Sequence, residues 1–351
     1  MKNKSLLING VRGVEKSFSR RAFLKNTTAL GAVTTLGGSL AMEAAEKSVV
    51  ASVASSAVTA ESLVTGLYKS LNEKQRKVMV FPFDHPLRSV VDNNWHIVKP
   101  RVGELFDADQ QAMIREIFLK MHSDEYRDKV LHQFLSDNRH GKDATEKAAF
   151  GSAAVAVFGK PGQDKFEFVF TGRHCTRRCD GGSLAGSAFG GPIFYGHAAG
   201  GFEEEADHPG NVYWFQAKRA NAVYQMLDGK QRGKALMNKI GRREQKNKTV
   251  ELSGKNSGLD GLSVADMSSD QQGEMMKVLA DMLLPFRQKD RQQAMKMIEP
   301  QMKDLHLAFY EKQDIGHDGV WDVLQVEGPS MIWYFRGKPH VHAWIHIKDK
   351  A

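Results

Sequence analysis

The residues best equipped for chemistry stand near the end of the chain, in RGKPHVHAWIHI at 336–347. His340, His342, Trp344 and His346 alternate there with Val341, Ala343, Ile345 and Ile347, the pattern of a strand with one apolar face and one imidazole-bearing face. At the rise of an extended strand, His340 and His342 lie roughly 7 Å apart on one face and can lean onto one metal ion. His346, about 20 Å from His340, is expected outside that group. A mononuclear site wants three or four protein ligands. In FVFTGRH, His174 shares a face with Phe166, Phe168 and Phe170 and is the leading third ligand, while His197 in FYGHAAGG can close the site from a loop. Imidazole ligands suit zinc or copper; zinc would activate a bound water for hydrolysis, and copper would carry redox chemistry. The same histidines also fit a metal-free catalytic or binding cluster, or satisfied core residues.

Other constellations are weaker. Cys175 and Cys179 in HCTRRCDGG are four apart, about 13 Å in an extended strand, so a disulfide between them requires a turn. A disulfide, a metal thiolate and free thiols all remain open, but two cysteines exclude a disulfide-dense scaffold. In DHPLRSVVDNNWH at 84–96, Asp84 and His96 form a candidate acid–base pair, with a Pro-stabilised turn and a packed Trp95 as the alternative. Arg173, Arg177 and Arg178 could attract an anionic substrate, and Glu203 to Glu205 could supply an acid or base. GGSLA at 181–185 lacks the last glycine of a nucleophile elbow, and no phosphate-binding or dinucleotide fingerprint occurs. The basic run at 230–248 has eight Lys or Arg, one Glu and no aromatic residue, which reads as a solvated helix and loop and argues against nucleic-acid binding.

The chain has 351 residues, 41% apolar and 26% charged, ordinary globular values, with a formal charge of +8. SRRAFLK at 19–25, followed by a mildly apolar run, reads as a twin-arginine export signal ending near 41. Residues 1–41 hold seven Lys or Arg and one acid, so most of the net charge belongs to this leader and the remainder is nearly neutral. The expectation is export through the twin-arginine translocase to the periplasm or cell envelope, with no permanent membrane span in the mature chain. A folded passenger on that route favours a cofactor or metal.

Elements must position these groups. Residues 42–60 read as a linker. LYKSLNEKQRK at 67–77 returns as VYQMLDGKQRGK at 223–234, Asp109-Gln110-Gln111 returns as Asp270-Gln271-Gln272, and Phe170-Thr171-Gly172 returns as Phe335-Arg336-Gly337. Three matches in order predict a duplication, with halves at 61–179 and 212–351 joined by a Gly-rich loop at 180–211. Each half reads as amphipathic helices, with Asp107 or Asp109 capping one of them, followed by a β-meander whose third strand starts just after Phe-x-Gly. His174 and the His340/His342 pair then fall at equivalent positions.

FPFDHPLR with NWH at 81–96, Gln110-Gln111, VFGKPG, FTGRH, GHDGVWDVLQVEGPS and HVHAW resemble a bacterial family of exported proteins known as domain of unknown function 3500. The resemblance runs from about 61 to the C-terminus. It implies an export habit and a pattern of histidines, without an activity. After His174 the chain departs from the usual pattern, with CTRRCDGG where a second histidine and an apolar strand are expected. That puts a ligand role for position 175 in doubt.

Together these readings give an α+β fold of two related halves packed so that their third strands approach. The function expected is an exported metal-dependent enzyme with His174, His340 and His342 as ligands, His197 or water completing the shell, and a small substrate, anionic if the arginines are exposed. The alternatives are a non-catalytic binding protein and a metal-free protein held by a Cys175–Cys179 disulfide.

Overall fold

A computed structural model describes residues 58–139, 145–181, 186–197, 208, 210–242, 244, 250–316 and 318–349. The arginine-rich leader, most of the linker, Ser183 and Glu203 to Glu205 lie outside the described residues.

Helix starts follow the polar residues that cap them. Thr59 opens α1 (Ala60–Ser70), Asn72 opens α2 (Glu73–Met79), and the four-residue α3 (Val102–Leu105) follows. Asp107, the first of the two expected caps, opens α4 (Ala108–Lys120) with a reciprocal capping box to Gln110. Each such cap contributes about 1 kcal/mol by satisfying backbone N–H groups the helix leaves unpaired. Then come α5 (Arg127–Asn138), α6 (Glu146–Gly151), α7 (Trp214–Met226), α8 (Gly229–Ala235), α9 (Ser269–Leu283) and α10 (Gln288–Ile298). Ile114, Ile117 and Phe118 are fully buried on α4, as their spacing predicts.

Eleven strands make one mixed sheet. They are β1 (Val80–Phe81), β2 (Ala154–Gly159), β3 (Phe166–Gly172), β4 (Cys175–Asp180), β5 (Ile193–His197), β6 (Leu236–Met237), β7 (Leu262–Ser263), β8 (His306–Tyr310), β9 (Val323–Glu327), β10 (Met331–Arg336) and β11 (Val341–Ile347). Their order is β1-β2-β3-β4-β5-β11-β10-β9-β8-β6, with β7 alongside β8. Pairing is antiparallel except β1 with β2 and β6 with β8. The alternation of β11 decides which layer each residue meets. Val341, Ala343, Ile345 and Ile347 join the helices in the main core, whereas Trp344 meets Phe194, Val91 and Val250 on the opposite face. That second face is covered by two loop segments, one reaching Ile97 and Val98 and the other Val250 and Leu252.

Two expectations are corrected and one open choice is resolved. The Gly-rich stretch is not one long loop: IFYGH forms β5, the strand joining the two sides of the sheet. Its three apolar and aromatic residues, Ile193, Phe194 and Tyr195, are set among glycines that hide the pattern. The third strands do not meet; β4 and β11 each pair with opposite edges of β5. Finally, Cys175 and Cys179 are free buried thiols, because β4 runs extended through both and supplies no turn to bring the sulfurs together. Burial raises the Cys175 thiol to about 11 and raises Cys179 as well. Both behave as small core residues.

The two sides of the chain share a bonding pattern. Gln75 Nε2 donates to Leu105 O and Gln110 Oε1, while Gln110 Nε2 reaches Ser70 O. Gln231 Nε2 donates to Asp266 O and Gln271 Oε1, while Gln271 Nε2 reaches Met226 O. Arg76 lies over Tyr68 as Arg232 lies over Tyr224. In the sheet, Ile97 N donates to Thr171 Oγ1 on β3, and Ser253 N donates to Glu327 Oε1 on β9. These two bonds fall on β3 and β9, whereas the sequence match of Phe170 with Phe335 falls on β3 and β10.

Candidate metal centre

The site forms where three strand ends coincide. Gly172 and Cys175 pair across the β3–β4 turn, leaving Arg173 and His174 as its two loop residues. His174 takes a left-handed φ of 55°, uncommon for a non-glycine residue, and its N–H is held by Asn93 O at 2.9 Å. Cys175 pairs with Tyr195 on β5, so His174 stands level with Gly196; on the other edge of β5, Gly196 pairs with His342. Gly196 is what lets the two rings meet. A Cβ there would lie 2.4 Å from Val341 O and 3.1 Å from His342 Cδ2. With that space open, the His174 and His342 ring centroids stand 5.0 Å apart across the intervening strand.

His340 enters from the β10–β11 turn. Its ring is 5.0 Å from His174 and 4.7 Å from His342, and the Nε2 atoms of His340 and His342 are 3.0 Å apart. One nitrogen from each of the three imidazoles lies within 4.8 Å of the others.

Carboxylates orient two of the rings. Asp137 Oδ2 is 3.1 Å from His174 Nδ1, and Glu244 Oε2 accepts from His342 Nδ1 at 2.5 Å. This fixes the tautomer that leaves Nε2 of His342 bare, and the same bond at His174 favours the same tautomer there. Glu244 also accepts from Arg336, from Trp344 Nε1 at 2.9 Å and from Asn93 Nδ2 at 3.2 Å. The 2.6 Å approach of Arg336 to His342 Nδ1 follows from both groups donating to one carboxylate oxygen. Asp137 is set by α5, whose Gln133 one turn earlier donates to Gly196 O at 2.5 Å and ties the end of β5 to the helix.

The charges suit metal binding. Burial, with His174 and Arg336 nearby, pushes His340 down to about 4; burial outweighs the Glu244 bond and pushes His342 to about 3. Both rings are therefore neutral at pH 7, the form that ligates. Burial alone would raise Glu244, but hydrogen bonds from His342 and Arg336 hold it well below the usual carboxylate range; His174 and His197 do the same for Asp137.

Residues 53–348 match the family described as Protein of unknown function (DUF3500). The chain belongs to that family. No curated protein and no solved structure matches it.

Among the residues of this DUF3500 chain singled out from sequence, His174, His340 and His342 come together and His197 does not join them. His197 follows Gly196 and so faces the helix side, with Nδ1 3.5 Å from Asp137 Oδ1. His346 stays on the His342 face, four residues further along β11. No hydrogen bond or ion pair joins Asp84, which is exposed, to His96, which lies near Arg101 and bonds to the Ser152 backbone. Of the three arginines, two are buried structural groups. Arg177 donates to Phe194 O, His122 Nε2 and Tyr213 Oη, and Arg178 is paired with Glu167. Only Arg173 is partly exposed. Sequence reasoning missed Asp137 and Glu244. The signal for Glu244 was present as the one acid within the basic run at 230–248.

Two histidines outside the cluster give a pH prediction. Burial and Arg101 push His96 down to about 4, and burial, Lys348 and Arg178 push His346 to about 4. In the unfolded chain both titrate near ~6.5. Between those values the unfolded state binds more protons, so stability falls as pH drops from about 6.5 toward about 4. Melting temperatures across that range should decline steadily, and His96→Gln with His346→Gln should flatten the slope. An unchanged slope would remove these two groups from the account.

Proposed function

We propose that this chain is a metal-dependent enzyme of the cell envelope, holding one zinc or copper ion on His174, His340 and His342. The observation that carries the reading is the 3.0 Å approach of the His340 and His342 Nε2 atoms, with the His342 ring fixed from behind by Glu244. Two imidazole nitrogens bound at 2.0–2.1 Å to one ion stand about 3 Å apart, so the rings already have the spacing of shared ligands. Three protein ligands leave a coordination position for water or substrate, the arrangement of catalytic rather than closed structural sites. Bound there, the ion would supply a nucleophilic hydroxide if zinc, or an electron-transfer centre if copper. Asp137 orients the ring of His174 and Glu244 that of His342, while burial keeps His340 and His342 neutral. Arg173 is the arginine left to draw a small anionic substrate toward the site.

Export by the twin-arginine route is part of the proposal and rests on SRRAFLK and the apolar run after it. So is descent from a duplicated half, supported by the matching glutamine, arginine and strand-edge bonds on the two sides of the sheet.

An open position separates an enzyme from a closed binding site. Cobalt-substituted protein should show visible bands that shift when azide is added; bands indifferent to azide would contradict the catalytic reading. A related expectation concerns Glu244→Gln. Losing the carboxylate behind His342 should weaken metal affinity by about 10–100-fold in competition with a chromogenic chelator. Affinity equal to that of the unaltered chain would show that Glu244 does not tune the site.

A further inference from the structure

β10 ends at Arg336 and β11 begins at Val341, with the turn GKPH between them, and Arg336 pairs across that turn with His342. Cross-strand partners share a face, which puts the guanidinium beside the imidazole. His174 and His342 each have a carboxylate behind the ring, Asp137 and Glu244 respectively. His340 has none. It stands half-buried on the turn, and no hydrogen bond to its Nδ1 occurs among the described residues. The third ligand must be held another way.

Arg336 holds it through the backbone. Nη1 donates to Lys338 O and His340 O, both at 3.1 Å, and so closes the turn. Nε and Nη2 donate to the two oxygens of Glu244, each at 2.9 Å. One planar group therefore grips both the carboxylate that orients His342 and the carbonyl of His340. A lysine ammonium lacks that fixed fork. The side chain is 13% exposed, which shields these bonds from competing water. Charge alone argues against a cation here, because a positive group this close to an ion site repels the metal. Glu244 offsets that charge, and what is left for Arg336 to contribute is geometry: the 3.0 Å approach of the His340 and His342 Nε2 atoms is backed on both sides by one guanidinium.

We propose that Arg336 is the positioning residue of the metal centre, a role that rests on the metal reading above, and that it sets His340 against His342 through Glu244 and the His340 carbonyl. Copper(II) alone is the probe, bound to the folded full chain in competition with a chelator. Arg336→Gln should weaken binding by about 10–100-fold. With His340→Ala as the background the loss should be smaller by about tenfold or more, because the positioned ligand is already gone, whereas an effect of charge alone would be equal in both. Pulsed EPR counts copper-bound imidazoles through their remote nitrogens, and the count should fall from three to two in Arg336→Gln. Arg336→Lys keeps the charge and should lose His340 as well. In the metal-free chain, NMR contacts between the His340 and His342 rings should vanish in both variants, so failure of the metal reading and failure of this role are read separately. Equal losses in the two backgrounds, three imidazoles retained in Arg336→Gln, or ring contacts that persist would overturn the proposal. So would variants that no longer fold, since Arg336 would then serve the fold rather than the site.

Discussion

Replacing His340 and His342 together with alanine should abolish metal binding while leaving the fold intact. Two of three ligands disappear, and the remaining His174 offers one nitrogen, so affinity should fall at least about a thousandfold, ~4 kcal/mol. The fold has reason to survive. His340 is only half-buried at a turn, and Glu244 retains Arg336, Trp344 and Asn93 when His342 is gone. Stability of the metal-free form should therefore drop by no more than about 1–3 kcal/mol, the cost of one lost buried hydrogen bond and a small cavity. Metal analysis after gel filtration and a denaturant melt of the same sample check both halves. His346→Ala, on the same strand face, should keep its metal. Equal loss in His346→Ala would show that the effect is not local to the three rings.

Gly196→Ala should do nearly as much with one methyl group. The added Cβ would stand 2.4 Å from Val341 O, a backbone atom that cannot swing aside, and 3.1 Å from the His342 ring. Either β5 separates from β11 or the ring turns away from His174; in both cases the 5.0 Å approach of the rings is lost. Overpacking of this kind costs about 1–3 kcal/mol of stability, and metal affinity should fall at least tenfold beyond that seen with Glu244→Gln. Titration with a metal indicator and a thermal melt would measure the two effects. A variant that binds metal normally would mean that Gly196 merely tolerates the space it leaves open.

Much of this arrangement was legible in the chain. The alternation in VHAWIHI gave both the extended strand and the face carrying His342, and FEFVFTG gave β3 ending beside His174. Sequence periodicity reports which way a side chain points but not which strand lies next to it. The matched Phe-x-Gly segments placed His174 near His340 through an equivalence that the sheet does not keep. The rings meet because β4 and β11 border the same short strand, with a glycine at the crossing point. β5 itself was hidden by the glycines around it. The carboxylates were invisible for a different reason: Glu244 is 98 residues from His342, and Asp137 is 37 from His174. Buried ion pairs of that separation leave no local pattern. Arg177 and Arg178 show the reverse error, since exposed-looking charges in TRRC are consumed inside the sheet by Phe194 O, His122 and Glu167.

The central claim is that three imidazoles share one ion. Its most direct test is the metal content and X-ray absorption spectrum of the folded chain purified from the cytoplasm, or reconstituted with zinc or copper and passed through a desalting column. About one equivalent per chain, with a shell of nitrogen neighbours near 2.0–2.1 Å and imidazole scattering, is the predicted result. A chain that retains no metal after loading with either ion, or that binds it with sulfur or oxygen neighbours only, would contradict the account.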